Sequence, residues 1–275
     1  MKNRLFVSLF AFAFTTAIFL FAVGACRAHI LRVGDGTFVT FSQMIGDLAG
    51  VNLVFIGELH DNEADHQAQL EIIRALYEAG VPLAIGLEMF REENQNDLNR
   101  WVDGRMGVYK FQKVFERNWG MWPLYEPIFL FARENNIPMV GLNIPREITS
   151  QVASKGFSSL SQEQLSQLPT GVTCTVSPAY RKFIRKALKG HFHRQDTFTH
   201  FCEAQMLWDS VMAQNLIRYL KAHPGTTVVT LAGAGHAWKF GIPARVSEQS
   251  DLSYRVVLPE IPGRITAETV APSEA

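Results

Sequence analysis

Short apolar runs alternating with helical patterns constrain this chain more than any other feature. Leu53–Gly57, Leu83–Leu87, Pro138–Leu142, Thr227–Leu231 and Tyr254–Leu258 read as strands. Their near-continuous apolar character fits strands covered on both faces. Between the first two runs, Ala64, Ala68, Ile72, Ala75 and Ala79 recur at three- and four-residue steps, so Glu63–Ala79 reads as a helix. Gly80 ends it and Pro82 follows as a breaker. Asn94–Trp101 and Tyr125–Asn135 read as further helices. Strands separated by helices predict a three-layer α/β domain with a mostly parallel central sheet.

The rhythm breaks between Thr149 and Ala222, which hold no good strand and at least three helical patterns. Ser161 and Gln164 form a helix-start pair, Tyr180–Lys189 is basic and amphipathic, and Thr199–Ala222 is a long helix. The expected organisation is an α/β domain over 26–148 and 223–275, with an all-helical insert or lid over 149–222.

The N-terminus points outside the cytoplasm. Lys2 and Arg4 precede an apolar stretch, Leu5–Val23, and Gly24-Ala25-Cys26 closes it with small residues before a cysteine. That is the layout of a signal peptide over 1–25, with Cys26 placed as a lipidated first residue. The alternative is an uncleaved anchor, since the stretch is long enough to span a bilayer. Arg27 rather than an aspartate follows Cys26, so an outer-membrane location is expected over an inner-membrane one. Losing Lys2 and Arg4 from the 26 basic residues leaves 24 against 26 acidic ones, a balance that gives no basic footprint for nucleic acid. Cys174 and Cys202 are the other cysteines. In an oxidising compartment they either pair or stay as buried thiols.

Each of the first four runs delivers polar chemistry at its end. These are Glu58 and His60, then Glu88, then Asn143 and Arg146, and then Gly233-Ala234-Gly235-His236. The carboxyl ends of parallel strands share one sheet edge, where ligands bind, so residues distant in sequence should converge. Glu58 and His60 are two apart and point to the same side of an extended chain. Asp61 is expected to cap the following helix and Asp65 to sit in its first turn. His66 suits either site or surface. On the long helix Gln205 and Asp209 face the same way, bordering the crevice or pairing elsewhere.

The segments "IGELHDNEADHQAQ", "LEMF", "GLNIPREI", "AQMLWDSVMAQNL" and "LAGAGHAWKFGIPARV" resemble the ChaN family of haem-binding uptake lipoproteins, within a superfamily that includes Tiki, TraB and erythromycin-esterase-like proteins. The superfamily's two G-x-x-H motifs are matched by Gly57-Glu58-Leu59-His60 and Gly233-Ala234-Gly235-His236. The resemblance runs from Leu53 to Val246 and implies two functions.

The first is haem binding for iron uptake, which needs an axial ligand, apolar surface and cations for the propionates. "YRKFIRKALKGHFHR" offers Tyr180 as axial ligand, Arg181 and Arg185 among its basic residues, and His191 and His193. Tyr180, Phe183, Ile184, Ala187 and Leu188 make an apolar stripe, which equally suits an ordinary amphipathic helix. Tyr125 is a second axial candidate, or a core aromatic. A homodimer through the insert and an outer-membrane haem receptor are the partners implied.

The second is hydrolysis, with Glu58, His60, Glu88, Arg146 and His236 as the catalytic set. His60, His236 and Glu58 would hold a divalent metal, or a glutamate would act as base with His236 as acid. Arg146 would stabilise an oxyanion or grip a substrate carboxylate. No H-E-x-x-H or G-x-S-x-G motif is present.

Overall fold

The computed structural model describes residues 30–170, 172, 174–187, 195–266 and 270. The leader, Cys26, His191, His193 and Arg194 lie outside them. The chain begins with a hairpin, β1 (Ile30–Arg32) and β2 (Thr37–Val39), followed by α1 (Phe41–Ala49). Then come β3 (Leu53–Glu58), α2 (Glu63–Glu78), β4 (Leu83–Arg91), α3 (Gln95–Val102), α4 (Val108–Asn118), α5 (Trp122–Glu134) and β5 (Met139–Asn143). The second half holds α6 (Arg146–Lys155), α7 (Gln162–Ser166), α8 (Pro178–Ala187), α9 (Gln195–Ala222), β6 (Thr227–Gly233), α10 (Ala234–Ala237), α11 (Ile242–Ser247) and β7 (Tyr254–Val257). Among the described residues no helix is long and apolar enough to cross a membrane.

The five-stranded sheet is parallel, in the order β5-β4-β6-β3-β7. All five expected strands are present, and the α/β architecture is as the sequence predicts. The strands read as continuous apolar runs because successive side chains enter different cores. Val54 and Ile56 of β3 pack with helices α1 to α5, whereas Leu53 and Phe55 pack with α9 and α11. Fully burying a side chain such as Phe55 contributes roughly 1.5–3 kcal/mol, and both faces of the sheet collect such terms.

The long helix α9 packs against β5, α6 and α11, so it forms part of one outer layer of the sheet. From β3 the chain skips a position to β4, and β6 later fills the gap between them. This places the ends of β3, β6 and β4 side by side.

Local capping explains several boundaries. Thr40 and Gln43 form a reciprocal cap on α1, and Ser161 and Gln164 do so on α7. Asn62, not Asp61, caps α2: its side chain accepts from the Ala64 amide at 2.9 Å, and Asp61 is left exposed one residue outside the cap. The expected cap is thus corrected by one position, and Glu63 and Asp65 occupy the first turn.

Candidate functional site

The carboxyl edge of the sheet gathers two carboxylate–histidine pairs. Glu58, the last residue of β3, is 1 % exposed. His60 follows two residues on, and its Nδ1 donates to Glu58 Oε1 at 2.8 Å. Gln69 on α2 donates to the other Glu58 oxygen at 2.6 Å, and the Tyr125 hydroxyl on α5 donates to Oε1. Burial works to raise the Glu58 pKa, but the hydrogen bonds from His60 and Tyr125, the charge of His66 and the Gln69 bond outweigh it and hold the carboxyl below its usual range. Burial likewise works to lower His60, and the Glu58 bond with the charges of Glu88 and Glu58 raises it.

The second pair comes from β4, β6 and α9. Glu88 accepts from the Gly233 amide at 2.7 Å. His236, on the short helix that follows β6, has its Nε2 3.7 Å from Glu88 Oε1. Its Nδ1 donates to Asp209 Oδ1 at 2.6 Å. The Tyr180 hydroxyl donates to Asp209 Oδ2 at 2.5 Å. Burial alone would lower the His236 pKa, yet the Glu88 charge, the Asp209 charge and the Asp209 bond raise it to about 9. That shift favours the imidazolium form of His236. Trp119 meets the His60 ring edge-on at 5.1 Å, and Trp208 meets His236 at 5.8 Å.

The two G-x-x-H motifs interlock. β3 and β6 pair in register, with Gly57 opposite Ala232 and Glu58 opposite Gly233. A Cβ on Gly57 would lie 3.0 Å from the Ala234 Cα of the second motif. A Cβ on Gly233 would lie 2.9 Å from His60 Cε1 of the first. Each glycine leaves the space that the other motif fills.

The remaining candidates fall elsewhere. Asn143 is buried and donates to the Glu88 carbonyl at 2.9 Å, holding the strand end rather than facing a ligand. Arg146 is exposed on the first turn of α6 and makes no ion pair with a described residue. Asp65 is buried and accepts from the Leu59 amide at 2.7 Å, bracing the turn that carries His60. His66 is buried and donates from Nε2 to the His60 carbonyl at 3.0 Å. The sequence reading misses Gln69. Its signal is a polar residue on the buried side of α2, beside Ile72, Ile73 and Leu76.

Both tyrosines expected as axial ligands have other partners. Tyr180 is 2 % exposed, and its oxygen is committed to Asp209. Burial, the Asp209 charge and that hydrogen bond push its pKa well above 10. Tyr125 lies in the aromatic core, raised by burial and by Glu58. Of the apolar stripe of α8, Tyr180 and Ile184 turn inward and pack on Phe198, Cys202 and Met206 of α9, and the side chains of Phe183, Ala187 and Leu188 lie outside the described ones. Arg181 donates to the Thr199 hydroxyl at 3.0 Å, and Arg185 is exposed with its guanidinium over the Phe198 ring.

The expected His60–His236–Glu58 metal set finds no support in the described residues. Among the described residues no group of three or more His, Cys, Asp and Glu side chains is arranged to hold a metal ion. The Nδ1 atoms of His60 and His236 are each turned onto a carboxylate. Cys174 and Cys202 are free thiols, pushed up by burial to about 12 and about 11.

Comparison with known proteins agrees with the fold. ChaN of Campylobacter jejuni, described for cofacial haem binding, superposes with a TM-score of 0.70 at 21% identity, covering 87% of this chain and 93% of that one. An erythromycin esterase mutant in its open conformation gives 0.49 at 16% identity, over 79% of this chain and 72% of its own. Protein RETICULATA-RELATED 5, chloroplastic, of Arabidopsis thaliana is 23% identical over 222 residues, which is 74% of this chain. The chain spans only 30% of that relative's length. The family model for haem-binding uptake proteins of the Tiki superfamily, ChaN, matches residues 44–246. This chain belongs to the ChaN family of haem-binding uptake proteins.

Proposed function

We propose that this chain is a lipid-anchored envelope protein that binds haem and serves haem and iron uptake. The observation that carries the reading is the family match across residues 44–246. Cys26 is the lipidated residue, and the outer membrane is the location that Arg27 favours.

The residues of α8 fit one part of a haem site and not another. Lys182 and Arg185 are exposed, as cations for propionates need to be. The Tyr180 oxygen does not fit an iron ligand, because it is buried and shared with Asp209. Axial ligation therefore passes to His193, with His191 beside it, in the segment that continues from α8. Imidazole is a common iron ligand. Cofacial haem binding, described for the Campylobacter jejuni protein, sets haem planes face to face, which suits a homodimer meeting through this segment. An outer-membrane haem receptor is the partner that would hand haem over.

A haemin titration of the chain from residue 27 tests this. A saturable Soret change should persist in Tyr180→Phe and weaken about tenfold or more in His193→Ala, the scale of losing a metal ligand or its support. Loss in Tyr180→Phe with His193→Ala unaffected would return the ligand to the tyrosine. No saturable change would sink the haem reading.

A second reading rests on the buried pairing of Glu88 and Asp209 with His236. On this reading Glu88 would act as base and His236 as acid in the hydrolysis of an ester or amide at the strand edge. Ester turnover by the purified chain should fall about 100-fold or more in His236→Ala, the usual share of a general acid. Absence of turnover in the unsubstituted chain would dismiss it.

A further inference from the structure

We infer that Tyr180, Asp209 and His236 form a latch through which the strand edge holds helix α8 on α9. What the latch governs rests on the proposed haem reading, because Lys182 and Arg185, the cations of that reading, are carried by α8.

The latch is one buried carboxylate between two donors. Asp209 on α9 is 1 % exposed. The Tyr180 hydroxyl donates to its Oδ2 at 2.5 Å, and His236 Nδ1 donates to its Oδ1 at 2.6 Å. A carboxylate held out of water needs such partners, and losing one leaves a charge that burial penalises. Without the His236 donor, Asp209 must take up a proton or turn toward water. Either change weakens what it offers Tyr180. Such coupling is reciprocal. Lifting α8 withdraws the Tyr180 hydroxyl and loosens the hold of Asp209 on His236.

Packing brings the two ends of the latch together. Tyr180 and Ile184 of α8 share an apolar cluster with Ala234 of the second G-x-x-H motif and with Trp238 just after it. Leu59 of the first motif packs against the same cluster. The helix is also fastened near the start of α9. Arg181 donates to the Thr199 hydroxyl at 3.0 Å, and the Arg185 guanidinium lies 4.7 Å from the centre of the Phe198 ring. Asp209 stands ten residues beyond Thr199, about 15 Å further along α9 at the rise of a helix. The latch is therefore a separate fastening, and it reaches the strand edge. A ligand that engages His236 there shifts the balance between docked and lifted α8.

Trypsin cleavage of the full chain after Lys182, read by mass spectrometry, measures how often α8 lifts. Cleavage after Arg74, exposed on α2, is the reference. His236→Gln keeps a polar side chain and removes the Nδ1 donor. It should raise the Lys182-to-Arg74 cleavage ratio at least about tenfold, the scale of losing a hydrogen bond to a charged group. His60→Gln, at the same edge but bonded to Glu58, should leave the ratio unchanged. An unchanged ratio in His236→Gln, or an equal rise in His60→Gln, would overturn the latch. If His236→Gln unfolds and both sites are cut alike, Tyr180→Phe decides. It keeps the buried ring, and it should raise the ratio and shift the His236 ring resonances in NMR. Failure of either would overturn the latch. Haemin should slow cleavage after Lys182 in the unsubstituted chain. Cleavage indifferent to haemin would remove haem from α8 and leave the latch standing on the ratio.

Discussion

Asp209→Asn should lower the His236 pKa from about 9 and weaken the dependence of the fold's stability on pH above 6.5. The imidazole is buried, and burial works against its charge. Its protonated form survives because Glu88 and Asp209 flank it and Asp209 accepts its Nδ1–H at 2.6 Å. An asparagine preserves the shape, removes the charge, and leaves one amide oxygen for two donors, His236 and Tyr180. The gap between 6.5 and about 9 corresponds to about 3 kcal/mol. Because the folded pKa is the higher one, that stability is fully present below 6.5 and is lost as pH rises through about 9. Urea midpoints should therefore fall between pH 6 and pH 9.5 in the unsubstituted chain. The variant should be less stable at pH 6 and should fall by less over the same interval, since the Glu88 charge remains beside His236. NMR titration of the His236 ring reads the pKa directly. A titration near 6.5 in the unsubstituted chain, or equal pH dependence in both proteins, would show that Asp209 does not set the charge of His236.

What the sequence discloses and what it hides follow from how each residue's environment is made. Glu58 and His60 were readable because strand geometry is local: two residues apart means one side, and the bond between them is 2.8 Å long. The central strands were readable because burial on both faces leaves them almost wholly apolar up to their carboxyl ends. Asp209 was only half readable. One turn of helix sets it beside Gln205, but nothing local says that His236 and Tyr180 meet it. Tyr180 shows the limit most clearly. An amphipathic stripe tells which residues share a face, and not whether that face meets a ligand or the chain's own core. Here it meets Phe198, Cys202 and Met206. The helix α4 carries an ordinary signal, Phe111, Val114 and Phe115 at helical spacing, and the sequence reading passes over it. The hairpin at Ile30–Val39 has a Gly-Asp-Gly turn, but its strands are only three residues each, too short for alternation to register.

Gly241→Ala should destabilise the domain by about 3 kcal/mol or more, the range for an insertion that forces backbone to move. The site of the change is backbone against backbone. A Cβ at 241 would stand 2.3 Å from the His236 carbonyl oxygen and 2.9 Å from that of Gly235. No flexible side chain is available to yield. The φ of Gly241 is −82° but its ψ is −126°, outside the regions open to residues with a Cβ, so the cost is conformational as well as steric. Neither neighbour can retreat easily. Gly241 donates to the Trp238 carbonyl at 2.7 Å and starts α11, whose Ile242 and Val246 are buried against the sheet. His236 is held from the other side by Asp209. The added methyl must therefore either push α11 out of the core or tilt His236 away from its carboxylates. The second route predicts a lowered His236 pKa along with the lost stability. Gly235→Ala is the matched control, because a Cβ there meets nothing within 4 Å. Thermal or urea unfolding of the two variants decides the point. If they unfold alike, the loop between His236 and α11 has slack, and the position of the imidazolium is not fixed by its own backbone.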